Sequence, residues 1–476
     1  MRHIACRFLA ASSAACLVLA VGAATRPRYG GKLRVEIQSK PSTFDPAESP
    51  DVAEAKAVLK LHALMYDHLV RLDPQGQPQP ALALSWEHDA QAAKWRFKLR
   101  PGVKWQDGAQ ITPEEVVTAL KGLGGGASVR LEGDILEIDA GRPAPGLLAT
   151  LATDDGLAIR RSGVGTPPLQ GGPAGAFPIG TGPFRLTNWE PGRSAVLQAN
   201  EDYWDGRPYV DSIEIQMGRA SRDELLDLEL GKADVVELDP VEARRAQQEG
   251  KKVWTSAPVE LLCLRFGLNR PAVQDRRVRL ALADSIDRAA IQKVLLQNYG
   301  DVAGSIFPQW LSGYAFLFPT AMNLDQARQL RGEIGVAPAL KVGYDPSDTL
   351  ARQIAERVAV NARDAGITLA MAPPPAGGSL MTDLGADLQV QRVRIDGPIV
   401  DKGLMDATAD LGLLISEQSS PEQIYAAERQ FVDSLAIIPL IHIPELLGIG
   451  SRVRDWSATP WGAWRLERVS LEGERP

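Results

Sequence analysis

Cysteine is nearly missing from this chain: there are three in 476 residues, and two of them, Cys6 and Cys16, fall in the first sixteen. Cys263 then stands alone in Leu261-Leu262-Cys263-Leu264. No disulfide framework can be drawn, and the thiol reads as a small buried hydrophobe. Histidine is scarce too. His3, His62, His68, His88 and His442 show no zinc-type spacing with a third ligand nearby. His442, inside Pro439-Leu440-Ile441-His442-Ile443, reads as a hydrogen-bonded core histidine. A G-x-S-x-G elbow, a phosphate-cradling loop and a sequence-local carboxylate pair are all missing, so neither catalysis nor a cofactor is expected. A basic excess is missing as well: 52 Lys and Arg face 59 Asp and Glu, a net charge of -7, which excludes the electrostatic footprint of a nucleic-acid binder. Long like-charged runs and internal repeats do not occur, and 45% hydrophobic residues argue against disorder. The apolar run from Phe8 to Val21 is shorter than the roughly 20 residues of a membrane span. Led by Arg2 and Arg7 and followed by Gly22-Ala23-Ala24, it has the form of a signal peptide over residues 1–24, with an uncleaved anchor as the other reading. The mature chain is therefore expected to be periplasmic or otherwise extracytoplasmic.

What is present is enough apolar residue, over enough length, for two or three packed lobes. Gly30 to Gln38 alternates Leu33, Val35 and Ile37 with polar residues, the period of a half-buried strand, and Val52 to Tyr66 repeats apolar residues at helical spacing. Thr112-Pro113-Glu114-Glu115 opens a helix with a cap, a proline at the first turn and acidic residues. Val129 to Asp139 reads as a hairpin around Glu132-Gly133-Asp134. Strands are expected at Phe184 to Trp189, Ala195 to Ala199 and Ile213 to Met217, and a helix at Arg222 to Leu230 stopping at Gly231. Leu340 to Tyr344, a helix striped by Leu350, Ile354 and Val358, and Ile367 to Met371 form a βαβ unit, which implies a parallel pair. Glu422 to Leu435 closes as a helix, Ile437 to Ile443 as an apolar strand, and Ile443 to Ser451 as a segment crossing back to the first lobe. Trp86, Trp95, Trp105, Trp189 and Trp204 read as packing residues.

A series of blocks carries a family resemblance. Gly30-Gly31-Lys32-Leu33, Phe44-Asp45-Pro46, Leu69-Val70-Arg71-Leu72, Pro80-Ala81-Leu82-Ala83 and Leu99-Arg100-Pro101-Gly102-Val103-Lys104-Trp105 come first. The most specific run is Pro178-Ile179-Gly180-Thr181-Gly182-Pro183-Phe184, followed by Asn200-Glu201-Asp202-Tyr203-Trp204 and Gly206-Arg207-Pro208-Tyr209-Val210-Asp211. With these residues in this order the chain resembles the oligopeptide, dipeptide and nickel-binding family of ABC-transporter solute-binding proteins, the family 5 type. The resemblance implies an α/β, two-lobed periplasmic-binding-protein fold of the large peptide-binding type, with a small insert lobe and a hinged cleft. It sets the first main lobe at 27–60, 176–258 and 446–476, the insert lobe at 61–175 and the second main lobe at 259–445. It further implies a monomer that binds a peptide or similar small polar solute and delivers it to an ABC permease in the membrane. The same fold with an oligosaccharide, a metal chelate or haem as ligand, or as a receptor or scaffold that no longer transports, is the alternative.

Gly180, Thr181, Gly182 and Pro183 read as hinge or turn geometry, because glycine and proline serve backbone shape first. Two departures from the family pattern stand out. Lys121 to Ala127 is shorter than the usual segment, so the insert is trimmed, and Val393 occupies the place where relatives of the peptide-binding kind carry a cleft tryptophan. In the same stretch, Asp396 is the candidate partner for a ligand ammonium, and Arg394 or Arg392 for a carboxylate or phosphate. Gln38 and Ser39, where the first strand runs into its loop, complete the candidate ligand-binding set.

Overall fold

The computed structural model describes residues 28–49, 52–73, 75–124, 126–161, 177–335, 339–346, 348–372, 386–395, 421–460 and 462–472. The expected signal peptide, residues 1–24, lies outside them, as do residues 162–176 and Asp396. Among the described residues no helix is long and apolar enough to cross a membrane.

The frame is one mixed sheet of eleven strands. Strand β1 (Lys32–Glu36) buries Leu33 and Val35 and lies parallel to both Ser212–Gln216 and Val235–Glu237. Beyond Ser212–Gln216 the sheet continues antiparallel through Ser194–Ala199 and Phe184–Glu190. On the other side two strands carry it into the second lobe. Lys252–Phe266 has 15 residues and Ile437–Ile449 has 13, against about five or six in an ordinary strand. They run antiparallel to each other. One end of the pair meets Val235–Glu237. The other meets Leu388–Arg394, followed by the parallel strands Leu340–Gly343 and Leu369–Met371. Thr349–Asp364 crosses between these last two, which makes the expected βαβ unit.

The first crossing strand was not expected from its sequence. Pro258 interrupts it, and Leu261, Leu262, Cys263 and Leu264 are all buried because helices or loops cover both faces, so the two-residue period is erased. Every residue of Ile437–Ile449 is buried for the same reason, and the segment expected as a separate link after Ile443 is the second half of that strand. Ala83–His88 was also missed; it pairs with Lys94–Leu99 but faces solvent along most of its length. Where capping chemistry is explicit the expectation holds. Thr112 and Glu115 form a reciprocal capping box, and Gly231 follows Ser221–Glu229 with φ +68°.

Separate apolar clusters mark the lobes. One joins β1, the 184–217 strands, Leu447 and Trp464. A second lies under the βαβ unit and includes Leu262, Leu282, Ile354, Val358 and Ile441. A third, from Leu69 to Ile159, is covered by the four-stranded antiparallel sheet of residues 83–139. The five tryptophans read as packing residues all belong to the first or third cluster. Helix α1 (Val52–Met65) runs across the boundary expected at residue 60, and Ala57, Leu61, Leu64 and Met65 all pack in the first cluster.

Candidate functional site

In open α/β sheets ligands bind outside the carboxyl ends of the parallel strands, because helix N-termini and loops converge there. In the first lobe those ends are Glu36, Gln216 and Glu237; in the second they are Gly343, Met371 and Arg394. Of these ends, Glu237 adjoins the crossing strands opposite Leu447 and Arg394 opposite Glu260, and α1 reaches the junction between them through Lys56 and Lys60. The junction is densely charged. Lys60, buried, ion-pairs with Glu237 at 2.9 Å and with Glu445, and its ammonium sits 5.0 Å from the Trp464 ring centroid. One turn earlier Lys56 reaches Glu260 at 3.4 Å. Glu260 also accepts from Arg392 Nη1 at 2.9 Å, and Arg392 Nε donates to Asp348 at 2.6 Å. Asp348 caps the Thr349–Asp364 helix by accepting from the Ala351 N–H at 2.9 Å.

Burial alone would drive these groups neutral. For Glu260 burial raises the pKa, but the Lys56 and Arg392 charges outweigh it and hold the carboxyl at about 2. For Lys60 burial works against the ammonium, and the Glu445 and Glu237 carboxylates reverse the effect and hold it charged. Glu237 is kept below the ordinary carboxylate range, burial being overcome by Lys60 and by the Gln38 N–H. Glu224 goes the other way: burial, reinforced by the nearby Glu237 carboxylate, pushes it up to about 10, so it is a neutral acid at pH 7. The junction therefore holds charge of both signs in fixed positions and excludes it where no counterion is at hand.

The residues singled out in the sequence take different places. Arg392 is paired with Glu260 and Asp348 and braces the junction. Arg394 ends its strand opposite Glu260 in the ladder. Gln38 donates its side-chain amide to Glu224 at 3.0 Å and its N–H to Glu237 at 2.9 Å, and the Ser39 carbonyl accepts from the Gly218 N–H at 3.0 Å. Val393 is buried with Leu261, Ile306 and Phe307. The Gly180–Pro183 run lies between the insert and first lobes, away from the crossing strands. The Gly182 N–H donates to Met65 O at 3.0 Å, Gln106 Nε2 donates to the carbonyls of Met65, Gly182 and Phe184, and Thr181 Oγ1 donates to buried Asp67 at 3.0 Å.

Lys56, Lys60, Glu237, Glu260, Asp348 and Glu445 were missed in the sequence. A signal for three of them was there: Lys60 sits between Leu59 and Leu61 on an apolar stripe, Glu260 adjoins Leu261, and Glu445 interrupts thirteen otherwise nonionic residues. A charge inside an apolar run is costly unless it is paired, so such residues point to partners elsewhere in the chain. A shallow depression of about 380 Å³ by Arg185, Glu201, Arg207 and Asp211 lies on the outer side of the first lobe, far from this junction. Its Arg207 is already paired with Glu201 and Asp211.

Comparison with known proteins bears on the whole chain. The family model described as bacterial extracellular solute-binding proteins, family 5 Middle, matches residues 77–128 and 163–403. The chain is 25% identical over 298 residues to the oligopeptide-binding protein AppA of Bacillus subtilis, covering 59% of this chain and 54% of AppA. It is 25% identical over 339 residues to the nickel-binding protein NikA of Staphylococcus aureus, covering 69% and 65%. These alignments span about half to two thirds of the relatives' own length. Among solved structures, the periplasmic binding protein DppA of Helicobacter pylori in complex with the peptide STSA superposes with a TM-score of 0.76 at 19% identity, covering 94% of this chain and 99% of that one. NikA of Brucella suis in complex with Fe(III)-EDTA does so with a TM-score of 0.77 at 19% identity, covering 93% and 100%. Both share the two-lobed α/β fold.

Proposed function

The chain belongs to family 5 of the bacterial extracellular solute-binding proteins, and from that membership we propose that it is the solute-binding component of an ABC importer, non-catalytic and extracytoplasmic. It takes a peptide or similar small polar solute between its lobes and hands it, as a monomer, to a membrane permease. The observation that carries this reading is the junction itself: paired charges at the carboxyl ends of the strands of both lobes, beside two strands that let the lobes pivot. An extended solute lies across such a junction as an added strand, its amides paired with backbone groups and its ends chosen by charge. Arg394 is the proposed partner of a solute carboxylate and Asp396 of an ammonium, since Arg392 is already taken by Glu260 and Asp348. Residues 1–24 are proposed as the signal that exports the chain.

Native mass spectrometry on protein purified gently from its host tests the reading. A ladder of peptides released from the protein is the expected result. A sugar, a metal chelate or haem in its place overturns the peptide assignment and leaves the import role standing. An empty protein whose melting temperature neither a peptide pool nor a panel of sugars, metal chelates and haem moves overturns both.

A further inference from the structure

The two crossing strands are not evenly tied to each other. Their register shifts between Thr255 and Pro258 and again between Pro258 and Glu260, and Pro258 stands opposite Pro444. Neither proline has an N–H, so this step of the ladder has no donor on either strand. Beside it the two strands are tied by a side chain, not by the backbone ladder, and the other groups bond outside the pair. The Glu445 N–H donates to Ser256 Oγ at 2.8 Å, the Ala257 N–H donates to Pro460 O at 2.7 Å, and Pro258 O accepts from Trp310 Nε1 at 2.7 Å. A pair of strands with no backbone ladder bond at one step, held beside it only through the Ser256 side chain, can bend there at little cost, which makes the proline pair the pivot.

One helix grips both strands next to that pivot. Lys56 and Lys60 are four residues apart on α1, hence on one face. Lys60 takes Glu445, one residue past Pro444, together with Glu237. Lys56 takes Glu260, two residues past Pro258. The two contacts differ in what they join. Helix α1 and Glu237 both belong with the first lobe, through Leu61, Leu64 and Met65 in its core and through the pairing of Val235–Glu237 with β1. Glu260 moves with the second lobe, because it pairs with Arg394 in the ladder and with Arg392, which is fixed to Asp348. Glu445 lies past Pro444, on the stretch that runs on to pair with Val235–Glu237, so Lys60 is an anchor on the first-lobe side of the proline pair, whereas Lys56 to Glu260 spans the pivot and must change length when the lobes turn. At 3.4 Å, on a carboxylate shared with Arg392, it is also the looser of the two.

We propose that α1 is a two-lysine clamp on the hinge, in which Lys60 fixes the helix and Lys56 acts as a releasable brace that sets the angle between the lobes. The clamp is a property of the chain without solute, so its test needs none and is independent of which solute is carried. Small-angle X-ray scattering and amide hydrogen exchange would be recorded on protein stripped of bound solute by unfolding and refolding. In Lys56→Gln, exchange at residues 256–261 and 443–446 is expected to quicken about fivefold, the order expected when one ion pair that biases two conformations is lost. The radius of gyration should shift, while exchange in β1 stays unchanged. Lys56→Arg should restore wild-type scattering. Scattering and exchange of Lys56→Gln identical to wild type overturn the proposal, and so does quickened exchange spread evenly over α1 and β1, which marks ordinary loss of stability.

Discussion

At the scale of single residues, the junction combines carboxyls held in opposite states by their neighbours. Glu224 is completely buried and bonded to Gln38, and burial with the Glu237 charge raises it to about 10 from an ordinary 4.5. The sign follows from linkage. The folded protein keeps a proton there that the unfolded chain has released, so the stability Glu224 contributes is complete below about pH 4.5 and is lost as pH rises toward 10. Glutamine keeps the neutral hydrogen-bonding shape without the titration. Glu224→Gln is therefore expected to be more stable than wild type at pH 7, by at most about 3 kcal/mol, and the gap should widen by about 1.4 kcal/mol per pH unit up to pH 9. Urea unfolding at pH 5, 7 and 9 checks it; parallel curves for the two proteins would mean that the carboxyl is ionised in the fold. None of this was legible in the sequence. Glu224 lies in the polar string Ser221-Arg222-Asp223-Glu224, and only the tertiary approach of Gln38 and Glu237 makes it unusual. His442 and Cys263 were legible, because an apolar string on either side fixes their environment: both are buried, His442 Nε2 bonds to Ile306 O at 2.9 Å, and burial pushes the thiol up to about 12.

At the scale of elements, the most family-specific run does its work between lobes. A Cβ at Gly182 would lie 2.5 Å from the Met65 carbonyl carbon and 2.7 Å from the Tyr66 nitrogen, both backbone atoms that cannot give way easily. Gly182→Ala should therefore cost about 3 kcal/mol in chemical denaturation, the upper range of overpacking, whereas Gly76→Ala, which meets nothing within 4 Å, loses stability only through its φ of +75°. Equal losses would show that the close approach relaxes freely. Glycine and proline made this run readable as backbone geometry, but not which elements it joins. Residues 303–318 present a second case. Their start is held by Glu428, whose carboxylate accepts from the N–H groups of Ile306 and Phe307, and burial raises its pKa to about 7. Its contribution is complete below about pH 4.5 and lost as pH climbs through 7, so wild type should lose about 3 kcal/mol over that interval that Glu428→Gln does not lose. Thermal melts of both proteins across that range decide it. The long crossing strands were the hardest elements to read, since burial on both faces removes the alternation that identifies a strand and Pro258 argues against one.

At the scale of the whole molecule, the charges paired at the junction and the carboxylate proposed for the solute should respond differently to truncation. Arg392 holds both Glu260 and Asp348, so truncating it leaves Asp348 without its guanidinium and Glu260 with Lys56 alone. Arg392→Met should destabilise the solute-free protein by about 1 to 2 kcal/mol, less than the loss of a fully buried pair because the guanidinium is partly exposed. Asp396, proposed as the receptor for a solute ammonium, should behave in the opposite way. Asp396→Ala is expected to leave the melting temperature of the empty protein unchanged and to abolish most of the stabilisation that solute adds. That stabilisation amounts to about 2.7 kcal/mol for wild type at a solute concentration of a hundred times Kd. Calorimetric melts of both variants, with and without the solute identified by mass spectrometry, separate brace from receptor. If Asp396→Ala keeps the full solute-induced shift, the solute is held without that carboxylate, and recognition rests on the backbone of the junction and on Arg394.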